Sequence, residues 1–184
     1  SSCASARSMT AFVESGAVPR LVVVSGSGQV LPGFPRSLAE LTDRHAPAAG
    51  DLDGDGAPEL IQATLPLTAD MMLASPLAAE PGGAEPIAPA TIHRLNPGGL
   101  ETIGWPVTLG SGGPWGVVLA DLDGNGHLDA VQQDGDLLLA VNAEGTPLPG
   151  FPAPLRRDFV RSDALEFSPW IVGAIDGGQR PHLL

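Results

Sequence analysis

The stretch DLDGDGAPE at positions 51–59 returns as DLDGNGHLD at positions 121–129. Both copies carry oxygen-bearing side chains at their first, third, fifth and ninth positions, and both carry glycine at the sixth. Short Asp and Asn side chains at alternating positions point inward from a curling backbone, and glycine adopts the positive φ that the bend requires. The spacing therefore predicts two copies of one tight, oxygen-lined loop.

A loop of this kind has the donor set of a hard cation. Ca²⁺ takes about six to eight oxygen ligands at roughly 2.3–2.6 Å, whereas Mg²⁺ prefers fewer protein oxygens and retained water. In each loop the seventh residue would offer its backbone carbonyl, and the ninth would close the shell. The candidate calcium ligands are Asp51, Asp53, Asp55, Ala57 and Glu59 in the first loop (51–59), and Asp121, Asp123, Asn125, His127 and Asp129 in the second loop (121–129).

The flanks of the loops exclude an EF-hand. That motif needs a bidentate Glu at its twelfth position, where this chain has Gln62 and Gln132. The residues on either side of both loops also have the pattern of strands rather than helices. The loops are therefore predicted to join neighbouring strands.

Each loop belongs to a longer repeat, which consists of an apolar strand, an Asn/Ser-Gly turn and the motif Gly-aromatic-Pro-x-x-Leu. The aromatic residue is Phe34, Trp105 or Phe151 in the three copies, and its recurrence indicates packing between units. A Pro/Ala/Glu-rich insertion near 65–90 lengthens the middle copy. A third, eroded loop keeps one acidic ligand position, Asp176, where we expect no metal or a weak site.

Composition agrees with many short strands. The chain has 184 residues with 24 Gly and 19 Pro, and helical periodicity is weak throughout, so an all-β fold is expected. A unit of three or four short antiparallel strands cannot bury both faces alone and must stack on similar neighbours, and a radial stack of this kind is a β-propeller. We expect an N-terminal tail over 1–18 and β-propeller blades over 19–184, as about three four-stranded antiparallel units of a partial propeller. The predicted units are about 19–49, 50–118, 119–172 and the start of a further unit at 173–184.

Charge and residue usage exclude several classes of protein. The net charge of −12 argues against a nucleic-acid partner, which would need a clustered basic face. No stretch is long and apolar enough to cross a bilayer as a transmembrane segment. No catalytic constellation is visible, because the four histidines are dispersed and no nucleophile elbow occurs, so no enzymatic activity is expected. The single cysteine, Cys3, permits no intrachain disulfide; it is either a free thiol or the remnant of a bacterial lipoprotein signal.

With these motifs the chain resembles the FG-GAP/VCBS-type repeats of integrin alpha-subunit propellers and of many bacterial secreted proteins. The second loop and its flanking strands match the family pattern, and Trp115-Gly116 stands where the family has Phe-Gly. The resemblance implies Ca²⁺ in the loops between blade strands. Because such closed propellers usually need about seven blades, three units imply a fragment, an open arc, or completion by other chains.

The resemblance also implies a role. The expected function is a calcium-binding, non-catalytic module for protein–protein or ligand binding, adhesion or scaffolding, in an extracellular, periplasmic or cell-surface location. Its partners would be other protein chains or the rest of a propeller. Two alternatives stay open, namely a propeller segment of a larger enzyme or multi-chain assembly, and a lectin-like propeller that binds glycan.

Overall fold

The computed structural model describes residues 9–14, 19–38, 46–64, 90–110, 116–134 and 137–154, and the backbone of 172–173 and 182–183. Every regular element in these ranges is a β-strand, so the all-β prediction is confirmed for the described part of the chain. No described segment forms a helix long and apolar enough to span a membrane. The predicted insertion near 65–90, apart from its last residue Ala90, lies outside the described residues, as do Trp115 and the eroded loop at Asp176.

The strands form four antiparallel sheets in which sequence neighbours are hydrogen-bonded. The first sheet contains β1 (Met9–Glu14) and β2 (Arg20–Ser25). The second sheet contains β3 (Ala48–Gly50), β4 (Glu59–Thr64), β5 (Thr91–Leu95) and β6 (Val107–Thr108). The third sheet contains β7 (Val118–Ala120), β8 (Asp129–Asp134), β9 (Leu137–Val141) and β10 (Ala153–Pro154). The fourth sheet contains β11 (Val172–Gly173) and β12 (His182–Leu183).

Strand β1 corrects the prediction of a tail over 1–18. It pairs with β2 in a register that places Met9 opposite Ser25 and Glu14 opposite Arg20. Met9, Ala11 and Val13 alternate along β1 and pack against the buried cluster of the first two sheets. The alternation is hard to recognise in the sequence because Phe12, on the opposite side, is 42% exposed.

The second and third sheets repeat one design. In both, the strand that enters the nine-residue loop pairs with the strand that leaves it, with Gly50 opposite Glu59 and Ala120 opposite Asp129. Because the strand that enters each loop belongs to the same sheet as the strand that leaves it, the second and third sheets begin at Ala48 and Val118. The predicted unit boundaries at 50 and 119 therefore fall within β3 and β7.

The sheets stack face to face, so the central strands are buried on both sides. Leu60 of β4 joins an apolar cluster shared with the first sheet, whereas the next residue, Ile61, joins a cluster shared with the third sheet. Every residue of β4 is buried as a result. At one edge of the stack β3 lies beside β7, and β7 lies beside β11.

The Gly-aromatic-Pro motif packs between consecutive sheets. Trp105 is buried in the cluster between the second and third sheets, and its Nε1–H donates to the carbonyl oxygen of Ala143 at 2.8 Å. Gly104 has a φ of +87°, and a Cβ built there would overlap the carbonyl of Glu144. Gly33 stands against Gly98 in the same way. Glycine is thus needed in the motif both for its positive φ and for the close approach of two backbones.

Two alanine substitutions should separate these two roles. Gly150 has a φ of +89°, but a Cβ built there meets no described heavy atom within 4 Å. Gly150→Ala should cost only left-handed backbone strain, roughly 1–2 kcal/mol. Gly104→Ala should cost that strain and about 1–3 kcal/mol more, because the methyl group also overpacks the interface between sheets. Urea unfolding of both variants measures the difference, and equal losses would contradict the interlocking of the sheets.

Candidate metal centres

The two predicted loops occupy equivalent hairpins in neighbouring sheets. The first loop connects β3 to β4, and the second connects β7 to β8. The loops stand side by side because β3 lies next to β7. A Cβ on Gly50 would come within 2.7 Å of Leu128 and 2.8 Å of Leu119, so the backbone of β3 runs directly against the third sheet.

The first aspartate of each loop holds the curl of the backbone. Asp51 accepts the N–H groups of Gly54 at 2.8 Å and Gly56 at 2.9 Å through its two carboxylate oxygens. In the second loop Asp121 accepts the corresponding N–H groups of Gly124 and Gly126 at 2.8 and 2.9 Å. The same residue type therefore makes the same two contacts in both loops.

The third and fifth residues extend this pattern. Asp53 accepts the N–H of Asp55 at 3.2 Å, and Asp55 accepts that of Ala57 at 2.7 Å. The second loop repeats both bonds from Asn125 to Asp123 at 3.0 Å and from His127 to Asn125 at 2.7 Å. These bonds fix the backbone at the seventh position, where the sequence predicts a carbonyl ligand; that ligation by Ala57 and His127 stays a prediction.

The ninth residue forms the floor of each loop. Glu59 is only 2% exposed and Asp129 only 1%, and each begins the strand that leaves its loop. Each accepts the N–H of the loop's second residue at 2.9 Å, which is Leu52 in one case and Leu122 in the other. A buried carboxylate therefore closes each loop across its base.

The carboxylates converge closely enough to share one cation. In the first loop, one carboxylate oxygen from each of Asp51, Asp53, Asp55 and Glu59 lies within 4.8 Å of the others. In the second loop, the same holds for Asp121, Asp123 and Asp129. Ligands on opposite sides of a single Ca²⁺ stand about 4.6–5.2 Å apart, which is twice the usual Ca–O distance. The structure thus brings together seven of the ten predicted ligand residues in two groups that could hold a metal ion.

Each loop has a second glycine with a positive φ, at a position that the sequence analysis did not identify. Gly56 and Gly126 were predicted to have positive φ, and their values are +86° and +92°. The fourth residues, Gly54 and Gly124, share a φ of +77°. Their presence in both copies of the sequence motif was the available signal, because most side chains disfavour this region.

The principal residue that sequence reasoning missed is Arg94 on β5. It is 5% exposed, and its Nη2 lies 2.5 Å from Oδ2 of Asp53 and 3.0 Å from Oε2 of Glu59. Its Nη1 donates to the carbonyl of Ala143 in the third sheet at 2.8 Å. The signal in the sequence was an arginine in β5 at the place where the matching strand of the other repeat, β9, has Ala140.

The two loops differ in charge compensation as a consequence. The hydrogen bond from Arg94 lowers the pKa of Asp53, against a smaller opposing effect of burial. In the second loop burial raises the pKa of Asp129, and the charges of Asp123 and Asp121 raise it further, while the N–H of Leu122 lowers it. The ionised carboxylate is therefore favoured at Asp53 and disfavoured at Asp129.

A shallow polar pocket of about 150 Å³ separates the two loops. Asp53 contributes to its wall from the first loop, and Asn125, His127 and Asp129 contribute from the second. The ring of His127 reaches across to the first loop, where a Cβ on Gly54 would lie 2.5 Å from Cε1 of the imidazole. The exposed side chain of His127 thus contacts the neighbouring loop.

A second polar cluster lies within the second sheet, where the sequence analysis expected no arrangement around a histidine. Nδ1 of His93 lies 2.9 Å from Oε2 of Glu101, and Nε2 lies 3.1 and 3.2 Å from the hydroxyl oxygens of Thr91 and Thr64. The two hydroxyl groups are 2.7 Å apart, and Thr64 is fully buried. The cluster satisfies the polar atoms of neighbouring strands β4 and β5.

No protein-family model, curated protein or solved structure matched this chain.

The buried carboxylates should respond differently to neutralisation in metal-free protein. Glu59→Gln should cost about 1–3 kcal/mol, because Arg94 loses a charged partner. Asp129→Asn should cost less or should stabilise the fold, because the amide oxygen can still accept the N–H of Leu122 while the unfavourable buried charge is removed. Urea unfolding in excess chelator measures both changes. A loss for Asp129→Asn as large as that for Glu59→Gln would contradict the difference in charge compensation.

Proposed function

We propose that this chain is a calcium-binding, non-catalytic β-propeller module of the FG-GAP/VCBS type. The observation that carries the proposal is the agreement between the two loops, contact by contact. In both, the first residue accepts the N–H groups of the two loop glycines, the third and fifth residues each accept the N–H two positions further on, and the ninth closes the base. Asp121 also accepts the N–H of Asn125 at 3.0 Å, which has no counterpart in the first loop. Two separate segments that fold into the same oxygen-rich cage support a shared ligand better than one acidic turn would.

The donor chemistry supports Ca²⁺ as that ligand. Carboxylate, amide and carbonyl oxygens are the ligands of hard cations, and short side chains with one backbone carbonyl can supply the six to eight oxygens that Ca²⁺ takes. The buried carboxylate of Asp129 gives a physical reason for a cation at the second loop, since an uncompensated buried charge is costly. The loop residues would hold the ion, and the bound ion would link the two strands that each loop connects.

The arrangement of the sheets supports the propeller. The second and third sheets are consecutive four-stranded antiparallel meanders, and they pack face to face. Their first strands lie side by side, and β11 continues the series next to β7. A radial array of blades places first strands around a common axis in this way.

The role of the module follows from what calcium would do in it. Ions held within strand-to-strand hairpins stiffen the blades, and sites of modest affinity suit the millimolar calcium found outside cells. The proposed role is therefore binding, adhesion or scaffolding outside the cytoplasm, with another protein chain or further propeller blades as the partner.

Removal of calcium should lower the melting temperature of the protein. At a free calcium concentration about 100 times the dissociation constant, one site contributes about 2.7 kcal/mol. For a domain of this size, that corresponds to a shift of roughly 5–10 °C per occupied site. Differential scanning calorimetry in CaCl₂ and in EDTA measures the shift, with MgCl₂ as the ion control.

A matched variant distinguishes loop binding from a general salt effect. Asp121→Asn keeps the size of a loop side chain but removes one of the two carboxylate oxygens that hold the second loop. It should reduce the calcium-dependent shift while leaving the effect of NaCl unchanged. A melting temperature that is the same in saturating CaCl₂ and in EDTA for the unaltered protein would overturn the proposal.

A further inference from the structure

The two loops share one backbone design but have different surroundings. We propose that Arg94 is a resident cation of the first loop, so that the second loop is the tighter calcium site. This inference rests on the proposed function and deepens it, because it assigns unequal affinities to two sites of similar sequence. Arg94 would then determine which of the two loops binds calcium more tightly, although it lies on β5 and outside both motifs.

The position of the guanidinium group carries the first step. A single nitrogen, Nη2, bridges carboxylate oxygens of Asp53 and Glu59 at 2.5 and 3.0 Å. These residues stand at the third and ninth positions of the loop, where the motif would place two ligands of the same ion. Arg94 therefore joins the two carboxylates with its positive charge, as a bound cation in the loop would join them.

Burial holds this contact in place. Arg94 is 5% exposed and Glu59 is 2% exposed, so neither can turn to solvent. The other terminal nitrogen of the guanidinium, Nη1, is fixed by the carbonyl of Ala143 at 2.8 Å. Separating a buried ion pair leaves a charge without a partner in the protein interior, which is unfavourable. Arg94 and Glu59 should therefore stay in contact.

Within the described part of the chain, the second loop has no equivalent cation. Arg94 stands opposite Ile61 in β4, and the matching position in the third sheet, opposite Val131, is Ala140. Ala140 packs in an apolar cluster with Val131 and Leu148. Among the described residues, no salt bridge reaches the carboxylates of the second loop.

Formal charge alone does not separate the two sites. The first loop has four carboxylates and one arginine, and the second has three carboxylates and Asn125, so each carries a formal charge of −3. Long-range attraction for a cation is therefore similar. The difference is local, because Ca²⁺ in the first loop must share two carboxylates with the guanidinium and would lie near its positive charge.

The experiment compares equivalent substitutions in the two loops of the full chain. Isothermal titration with CaCl₂ follows the unaltered protein, Asp53→Asn and Asp123→Asn, which change the third position of each loop. Asp123→Asn should weaken the tightest binding event about tenfold or more, whereas Asp53→Asn should leave it within about twofold. Equal weakening by both substitutions would overturn this inference alone.

Removing the arginine tests its role directly. In the background of Asp123→Asn, which isolates the first loop, Arg94→Met should tighten calcium binding about tenfold, because Asp53 and Glu59 are released to the ion. Arg94→Lys keeps the positive charge and should produce a smaller gain. Unchanged affinity in a folded Arg94→Met protein, checked by circular dichroism, would contradict the assignment.

The remaining outcomes are distinguishable. If Arg94→Met does not fold without metal, the comparison of Asp53→Asn with Asp123→Asn decides the question without it. If the unaltered protein shows no heat of binding and no calcium-dependent melting shift, the calcium function itself is overturned, and this inference falls with it.

Discussion

A carboxylate buried at the base of a hairpin is the constraint that organises both loops. Glu59 and Asp129 each begin a central strand, and each accepts an N–H from the far side of its loop. This bond closes the loop, but it also holds a negative charge away from water, where charge is unfavourable without a partner. The first loop meets this need with Arg94 from the next strand, and the second would meet it with a metal ion.

The stacking of the sheets explains why the carboxylates are buried in the first place. Strand β4 lies between two neighbouring sheets, so both of its faces are covered, and β8 is buried along most of its length. Glu59 and Asp129 begin these two strands and are removed from water with them. A loop at this position therefore combines solvent-exposed aspartates with a desolvated carboxylate at its base.

The sequence was sufficient to predict the loops because their candidate ligands lie within nine residues of one another. Local spacing fixes which side chains can converge, and the two copies at 51–59 and 121–129 confirmed each other. The all-β fold followed from turn-forming residues and apolar alternation for a similar reason. Strand β1 was missed because its outward-facing Phe12 disguised the alternation.

Arg94 could not be recognised as part of the first loop from local spacing, because it reaches Asp53 and Glu59 only through the register of β4 and β5. That register depends on how the chain returns after the residues near 65–89, and no local motif specifies it. The contrast with Ala140 is visible in an alignment of the two repeats. Its meaning emerges only when the pairing of Ile61 with Arg94 and of Val131 with Ala140 is known.

The two loops are also connected to each other, which gives the proposed inequality of the two sites a structural consequence. Ala143, in the third sheet, accepts hydrogen bonds from both Arg94 and Trp105 of the second sheet. His127 of the second loop contacts Gly54 of the first. Arg94 therefore links the first loop to the third sheet through its hydrogen bond to Ala143. The second loop adds a contact in the other direction, from His127 to Gly54. An ion that orders the second loop would also fix this contact, so calcium at one site would strengthen the junction between two sheets as well as its own hairpin.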